Sequence, residues 1–303
     1  MTKRKKDKPK RTSTLLILLM LVGIGFMLYP AVSNGWNSLH ASRAIAAYSS
    51  DVENMNDEQC SRLLEDACRY NRKIPEKTDP YVMTEEDLEE YRALLDLSGT
   101  GIMGYINIPT IGVHIPIYHG MDESVLQIAI GHLDWSSLPV GGEGTHAVLT
   151  GHRGLPSARL FTDLDQLREG DIFRITVLKQ TLSYEVDQIR IVEPDDVSEL
   201  KIIPGKDYCT LVTCTPYGIN THRMLVRGHR IVEDESTFRI PADAQRVSTA
   251  ITIPAIGLPM TLVTLICMLL HNRRKKPKIR PADLLQIAEQ DLAAEQTQKR
   301  RKH

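Results

Sequence analysis

The sequence predicts a mainly β domain, a compact sheet or barrel with few short helices, held between two membrane-spanning segments. Apolar residues alternate at Ile106/Ile108 and Ile111/Val113/Ile115/Ile117, a strand period broken at Pro109 and Pro116. Short runs of the same kind recur at 145–149, 171–178, 182–192, 208–214 and 223–232, with a helical turn expected at 160–167. Two apolar stretches, Thr12 to His40 and Val247 to Leu270, contain no Asp, Glu, Lys or Arg.

Charge orients these segments. Residues 1–11 hold seven Lys/Arg against one Asp, and residues 271–303 hold ten against four acids. The remaining 20 basic and 33 acidic residues give the middle a charge of −13, although the whole chain carries −1. A middle this acidic is a poor partner for nucleic acid, whose binding needs a basic face to displace counterions. Both basic clusters flank the spans on their outer sides, so the positive-inside rule puts both termini in the cytoplasm and the acidic middle across the membrane. The expected order is a basic N-terminus (1–12), a first span (13–34), a helical segment (35–98) and the β domain (99–236). A linker (237–246), a second span (247–270) and a basic tail (271–303) follow. For the first stretch a cleaved signal peptide is the alternative, with Ala44-Ile45-Ala46 as its cleavage site, but that triplet lies far from the apolar core at Leu15 to Val32.

Within the helical segment, Val52 to Tyr70 carries Met55, Leu63, Leu64 and Ala67 roughly on one stripe. Thr84-Glu85-Glu86-Asp87 then reads as a helix start, with Leu88, Tyr91, Leu94 and Leu95 as its apolar face up to Gly99.

Of five cysteines, Cys60, Cys68, Cys209, Cys214 and Cys267, none suggests a disulfide framework. In one straight helix Cys60 and Cys68 would stand about 12 Å apart, too far to bridge. Cys214 is different. The apolar run Thr210-Leu211-Val212-Thr213 ends on it, a turn follows at Pro216-Tyr217-Gly218, and Arg223 opens the next strand. A hairpin of that kind brings a thiol and a permanent cation to one end, an arrangement suited to acyl transfer.

A thiol nucleophile needs a proton-transfer partner. His152, between glycines just beyond the strand at 145–149, is the first choice; His132 and His146 have similar local credentials, and the residues alone leave the choice open. Zinc is disfavoured for Cys209, Cys214, His222 and His229. Strand residues five apart face opposite sides, so Cys209 and Cys214 cannot converge on one ion. Arg227 shares a face with Arg223 but lies about 13 Å further along.

The run Thr210-Leu211-Val212-Thr213-Cys214-Thr215-Pro216-Tyr217-Gly218, then Asn220-Thr221-His222-Arg223, closely resembles the active-site signature of sortases. Its continuation through Pro-Tyr-Gly to an arginine resembles the class C, pilin-polymerising branch. Gly104-Tyr105-Ile106-Asn107-Ile108-Pro109, Leu138-Pro139-Val140-Gly141-Gly142 and Thr150-Gly151-His152 match that branch in order, and the resemblance covers roughly residues 75–235.

This resemblance implies a closed eight-stranded sortase-type β-barrel. It makes Cys214 the nucleophile, His152 the general acid/base and Arg223 the stabiliser of the oxyanion and substrate. The enzyme would cut a Leu-Pro-x-Thr-Gly-type sorting signal after threonine, hold the acyl group as a thioester and pass it to a pilin lysine. Its partners would be pilin subunits bearing such signals and acceptor lysines, and the lipid bilayer; no cofactor or metal is implied. Asp79-Pro80-Tyr81, otherwise an ordinary turn, resembles the class C lid, with Asp79 paired to Arg223 and Tyr81 near Cys214. The loop 193–206 corresponds to one that shapes sorting-signal binding. Its Val197, Leu200, Ile202 and Ile203 are either a wall of the groove or the buried face of a small helix. A housekeeping sortase, a peptidoglycan-directed cysteine transpeptidase and a membrane receptor with a structural cysteine are the rival functions.

Overall fold

The computed structural model describes residues 9–76 and 81–232, with five further helical residues at 257, 262–264 and 266. The chain divides into two compact units, Leu28–Arg246 and a second made of Met1–Met27 with Val247–His303. Helix α1 (Pro9–Glu53) runs unbroken for 45 residues. Among the described residues, its Ile17–Glu53 portion is the one helix long and apolar enough to cross a bilayer. Leu18, Leu19, Phe26 and Val32 are exposed along it, whereas Ala41, Ile45, Tyr48 and Val52 are buried. Those four recur at helical spacing and form the stripe that packs on the β domain. Tyr48 adds a polar tie, donating to the Met103 carbonyl (3.0 Å) and accepting from the Leu178 N–H (2.7 Å).

The stripe expected from Val52 to Tyr70 is not one helix. Asn56 takes an extended conformation and forms a capping box with Gln59, starting α2 (Asp57–Lys73) afresh after α1 ends. Thr84 caps α3 (Glu85–Ala93) with Asp87, as its sequence indicates. This helix stops before Leu94 and Leu95, because Leu94 is extended and Leu95 has a positive φ of 62°. Leu95 is buried all the same. Residues 77–80, including Asp79 and Pro80, lie outside the described residues, as do the linker at 237–246, the tail at 271–303 and most of the expected second span.

Eight strands close the barrel: β1 (Ile102–Ile108), β2 (Val113–His119), β3 (Ile130–His132), β4 (Thr145–Thr150), β5 (Ile172–Val177), β6 (Gln180–Val192), β7 (Asp207–Thr215) and β8 (His222–Ile231). Their order around it is β1-β2-β3-β4-β7-β8-β6-β5. Ile111 is not part of β2, because Pro109–Ile111 form a 3-10 turn ended by Gly112 at φ 64°. The expected turn at 160–167 narrows to a 3-10 turn at Leu164–Gln166. Strand β3 has no counterpart in the sequence reading, since three residues are too few to display a period.

Alternate residues separate two faces. Cys209, Leu211, Met224 and Val226 enter the main core, where Phe173 and Tyr184 stack at 5.5 Å. Val148, Val212 and Leu225 point outward and build a smaller apolar cluster with Leu133 and Leu200, against which Trp135, Val192 and Val197 pack.

His132 lies in the closed side of the fold. It is fully buried, Tyr91 Oη sits 2.9 Å from Nδ1, and the Ser137 carbonyl sits 2.8 Å from Nε2. That carbonyl can only accept, so Nε2 carries the proton and the ring is neutral. Burial pushes its pKa down from 6.5 to about 3. An unfolded chain takes up this proton first as pH falls. The stability the neutral ring contributes is therefore complete above about pH 6.5 and lost progressively toward pH 3, by up to about 1.4 kcal/mol per pH unit. Thermal melts from pH 6.5 to 4 should fall more steeply for the native chain than for His132→Gln, which keeps a donor for Ser137 but does not titrate. Parallel curves would contradict this account.

Candidate active site

Strand direction explains how distant residues reach one end of the barrel. Strands β4 and β7 are parallel, with Thr150 opposite Val212, so their carboxyl ends emerge side by side. Strand β8 returns antiparallel from a turn beginning with the cis peptide Thr215–Pro216, and its start lies opposite the end of β7. Cys214 and Arg223 are direct cross-strand partners, so their side chains leave the same face about 5 Å apart at the backbone.

His152 stands two residues beyond β4. Gly151 before it donates to the Val212 carbonyl (3.1 Å) and accepts from the Thr213 hydroxyl (2.8 Å), which pins the loop beside Cys214. Any Cβ at position 151 would come within 2.6 Å of Ile130 and 2.9 Å of the Phe161 ring, so the close approach requires glycine. The His152 carbonyl accepts from the Phe161 N–H at 3.2 Å.

Hydrogen bonding separates the three candidate histidines. His132 is occupied on both ring nitrogens. His146 is too: Nδ1 donates to the Lys201 carbonyl (3.0 Å), leaving Nε2 to accept from Thr210 Oγ1 (2.7 Å). Burial also lowers the pKa of His146, keeping it a neutral structural ring. His152 alone of the three has a ring nitrogen to spare. Its Nε2 is buried without a hydrogen-bond partner, and the Glu123 carboxylate of α4 (Glu123–Leu126) stands 3.8 Å away.

The two cysteines of β7 are equally distinct. Cys209 is fully buried and desolvation drives its thiol well above the ordinary range, holding it protonated. Cys214 is half-buried on the outward face. Arg223 donates from Nη1 to the carbonyls of Asn220 (3.3 Å) and His222 (3.2 Å), so the turn holds its guanidinium; among the described residues it has no acidic partner. Arg227 is committed elsewhere, gripped at 3.0 Å by both oxygens of Asp187 and lying 4.3 Å over the Tyr208 ring.

Of the remaining predicted residues, Tyr81 meets Trp135 edge-to-face, with centroids 5.1 Å apart. Val197 and Leu200 join the outward cluster that contains Val212, two positions before Cys214 on the same face. Ile202 packs on the main core and Ile203 is exposed. Sequence reasoning passed over Trp135 and Glu123. Nothing in the local pattern flags Glu123, whereas Trp135, one of two tryptophans, could have been singled out for its size.

A closed mixed barrel with a cysteine, a histidine and an arginine at one end defines a cysteine transferase of the sortase type. Comparison with known proteins agrees. Residues 106–231 match the sortase domain model. Sortase C1 from Streptococcus agalactiae is 50% identical and superposes with a TM-score of 0.62, covering 63% of this chain and all of that one. Sortase C from Streptococcus pneumoniae, described for its pilin substrate specificity, is 43% identical (TM-score 0.58; 63% and 97% covered). A lid mutant of Corynebacterium diphtheriae sortase A is 42% identical (TM-score 0.57; 60% and 98% covered). The chain belongs to the sortase family of cysteine transpeptidases, with class C sortases among its structural neighbours.

Proposed function

We propose that this sortase polymerises pilins. Cys214 attacks the carbonyl carbon of the threonine in a Leu-Pro-x-Thr-Gly-type signal, the bond to the glycine nitrogen breaks, the glycine amine leaves, and a threonyl thioester remains. A pilin lysine amine then attacks the thioester, forming an isopeptide bond and releasing the thiol. His152 protonates the departing amine and accepts a proton from the incoming one. Arg223 donates to the carbonyl oxygen as negative charge develops, without losing its own charge. The observation that carries this reading is the shared barrel end of β4, β7 and β8, with Cys214 opposite Arg223. Arg223→Ala should lower turnover of a sorting peptide about 10²- to 10³-fold, or roughly 3–4 kcal/mol in the barrier. Cys214→Ala should abolish it; normal turnover by either variant overturns these roles.

The pilin acceptor rests on the class C likeness, strengthened by the relative described for pilin substrate specificity. Incubating the full chain in detergent with candidate pilins and mapping linkages by mass spectrometry tests it. A branched threonine–lysine isopeptide is expected. Transfer to cell-wall peptide instead would identify a housekeeping enzyme. In this reading both termini are cytoplasmic, the domain boundaries follow the sequence assignment, and Val197 and Leu200 belong to the wall that receives the signal's leucine and proline. Ile203, exposed beyond them, continues that wall, whereas Ile202 turns to the main core.

Asp79-Pro80-Tyr81 acts in this reading as a lid, with Asp79 directed to Arg223. Support comes from the contact between Tyr81 and Trp135, which sits on the same outward cluster as Val212. A site open 1% of the time binds substrate about 100-fold more weakly than an open one. An aromatic pair is worth about 0.5–1.5 kcal/mol, so Tyr81→Ala should raise alkylation of Cys214 roughly 2- to 10-fold. Unchanged labelling in both Tyr81→Ala and Asp79→Ala would remove the lid.

A further inference from the structure

Arg153 follows His152, and Thr215 follows Cys214. The Arg153 side chain joins the two: Nη1 donates to Thr215 Oγ1 at 3.2 Å, and Nη2 pairs with Asp165 at 2.5 Å. Its side chain is 8% exposed, against 42% for Asp165. The guanidinium also lies 5.9 Å from the Tyr217 ring centroid, so it touches the β7–β8 turn as well. That turn closes tightly on the histidine loop, since any Cβ at position 154 would come within 3.0 Å of the Tyr217 ring.

We propose that Arg153 is a positioning residue that sets the separation of thiol and imidazole by bridging the residues next to each. This inference rests on the roles assigned above to Cys214 and His152. Successive strand residues face opposite sides, so Thr215 turns away from the face that carries Cys214 and is itself buried. Arg153 therefore bridges from behind the reactive face and leaves that face open to substrate. The backbone before His152 is fixed at Gly151, and the loop after it is held within itself by Phe161 N–H to the His152 carbonyl and Gly154 N–H to Thr162 Oγ1 (3.1 Å), neither of which reaches the cysteine strand. The Arg153 fork, with two N–H groups aimed at two separate oxygens, adds the side-chain tie from this loop to the cysteine strand at Thr215. Its Nε is buried without a partner, so the orientation serves those two ties rather than full hydrogen bonding of the guanidinium. Lysine cannot replace it, because one ammonium on a flexible stem cannot reproduce the planar geometry toward Thr215 and Asp165 together.

The test uses the full chain in detergent, a sorting peptide, and the rate of thioester formation per titratable Cys214. Arg153→Lys and the near-isosteric Thr215→Val should each slow that step roughly 10- to 100-fold, the scale on which misplacement of reacting groups acts. KM should change little, and the double variant should be no slower than Arg153→Lys alone, because both remove one contact. Native rates in either folded variant, a loss confined to KM, or losses that multiply in the double variant would overturn the inference. If Cys214→Ala forms product as the native chain does, the underlying catalytic assignment fails instead.

Discussion

The parallel pairing of β4 with β7 is the constraint on which the site depends. Parallel strands send their carboxyl ends the same way, so a residue just past β4 and one at the end of β7 must emerge as neighbours although their paired residues Thr150 and Val212 are 62 positions apart in the chain. An antiparallel pair in the same order would send His152 to the opposite end of the barrel. The hairpin to β8 adds Arg223 at no topological cost, because a tight return places its first residues opposite the last of β7. A histidine loop and a hairpin far apart in the chain thus reach one rim, and the barrel's closure fixes that rim.

Each wall residue serves one of two environments. Strand β7 sends Cys209, Leu211 and Thr213 inward and Val212 and Cys214 outward. The inward thiol is raised far above its ordinary pKa by desolvation and stays inert; the outward one retains access to solvent. The same division silences histidines. His132 and His146 are buried, neutral and saturated with hydrogen bonds, whereas His152 lies beyond the last ladder rung with Nε2 unpaired. The buried rings of His132 and His146 have both nitrogens committed, so of the three histidines His152 keeps a nitrogen for other partners.

Much of this was legible in the sequence. The alternation along 171–178 marks β5, which buries every other residue, and the β-rich apolar run at 208–214 marks β7, buried on both faces. Cys209 and Cys214 face opposite sides of β7, as a five-residue separation along a strand requires. Strand β3 was not legible, since its three residues pair through neighbours distant in sequence. Nor was the break between α1 and α2, where apolar periodicity continues through Met55 while Asn56 restarts the backbone. The choice among three histidines depended on partners such as Ser137, Lys201 and Tyr91, which no local pattern brings to the ring. Local sequence fixes which strands form, but long-range pairing decides which side chains remain free.

Trp135 links the sequence's unassigned features to this site. It packs on a cluster shared by β4, β7, β8 and the loop before β7, and Tyr81 rests against its ring. Any segment seated there lies over the outward face of Val212, along the same row that leads to Cys214. A sorting signal approaching the thiol and the chain's own residues before α3 would therefore draw on the same apolar surface. Burial of an aromatic ring there stabilises the covering segment, yet a single edge-to-face contact is worth about 0.5–1.5 kcal/mol. In the proposed lid that amount would hold a closed state without locking it, since a conformational equilibrium shifts only by the difference in interaction between its two states. Under the proposed lid, competition for one surface, not a separate allosteric element, would be enough to make access to Cys214 depend on substrate.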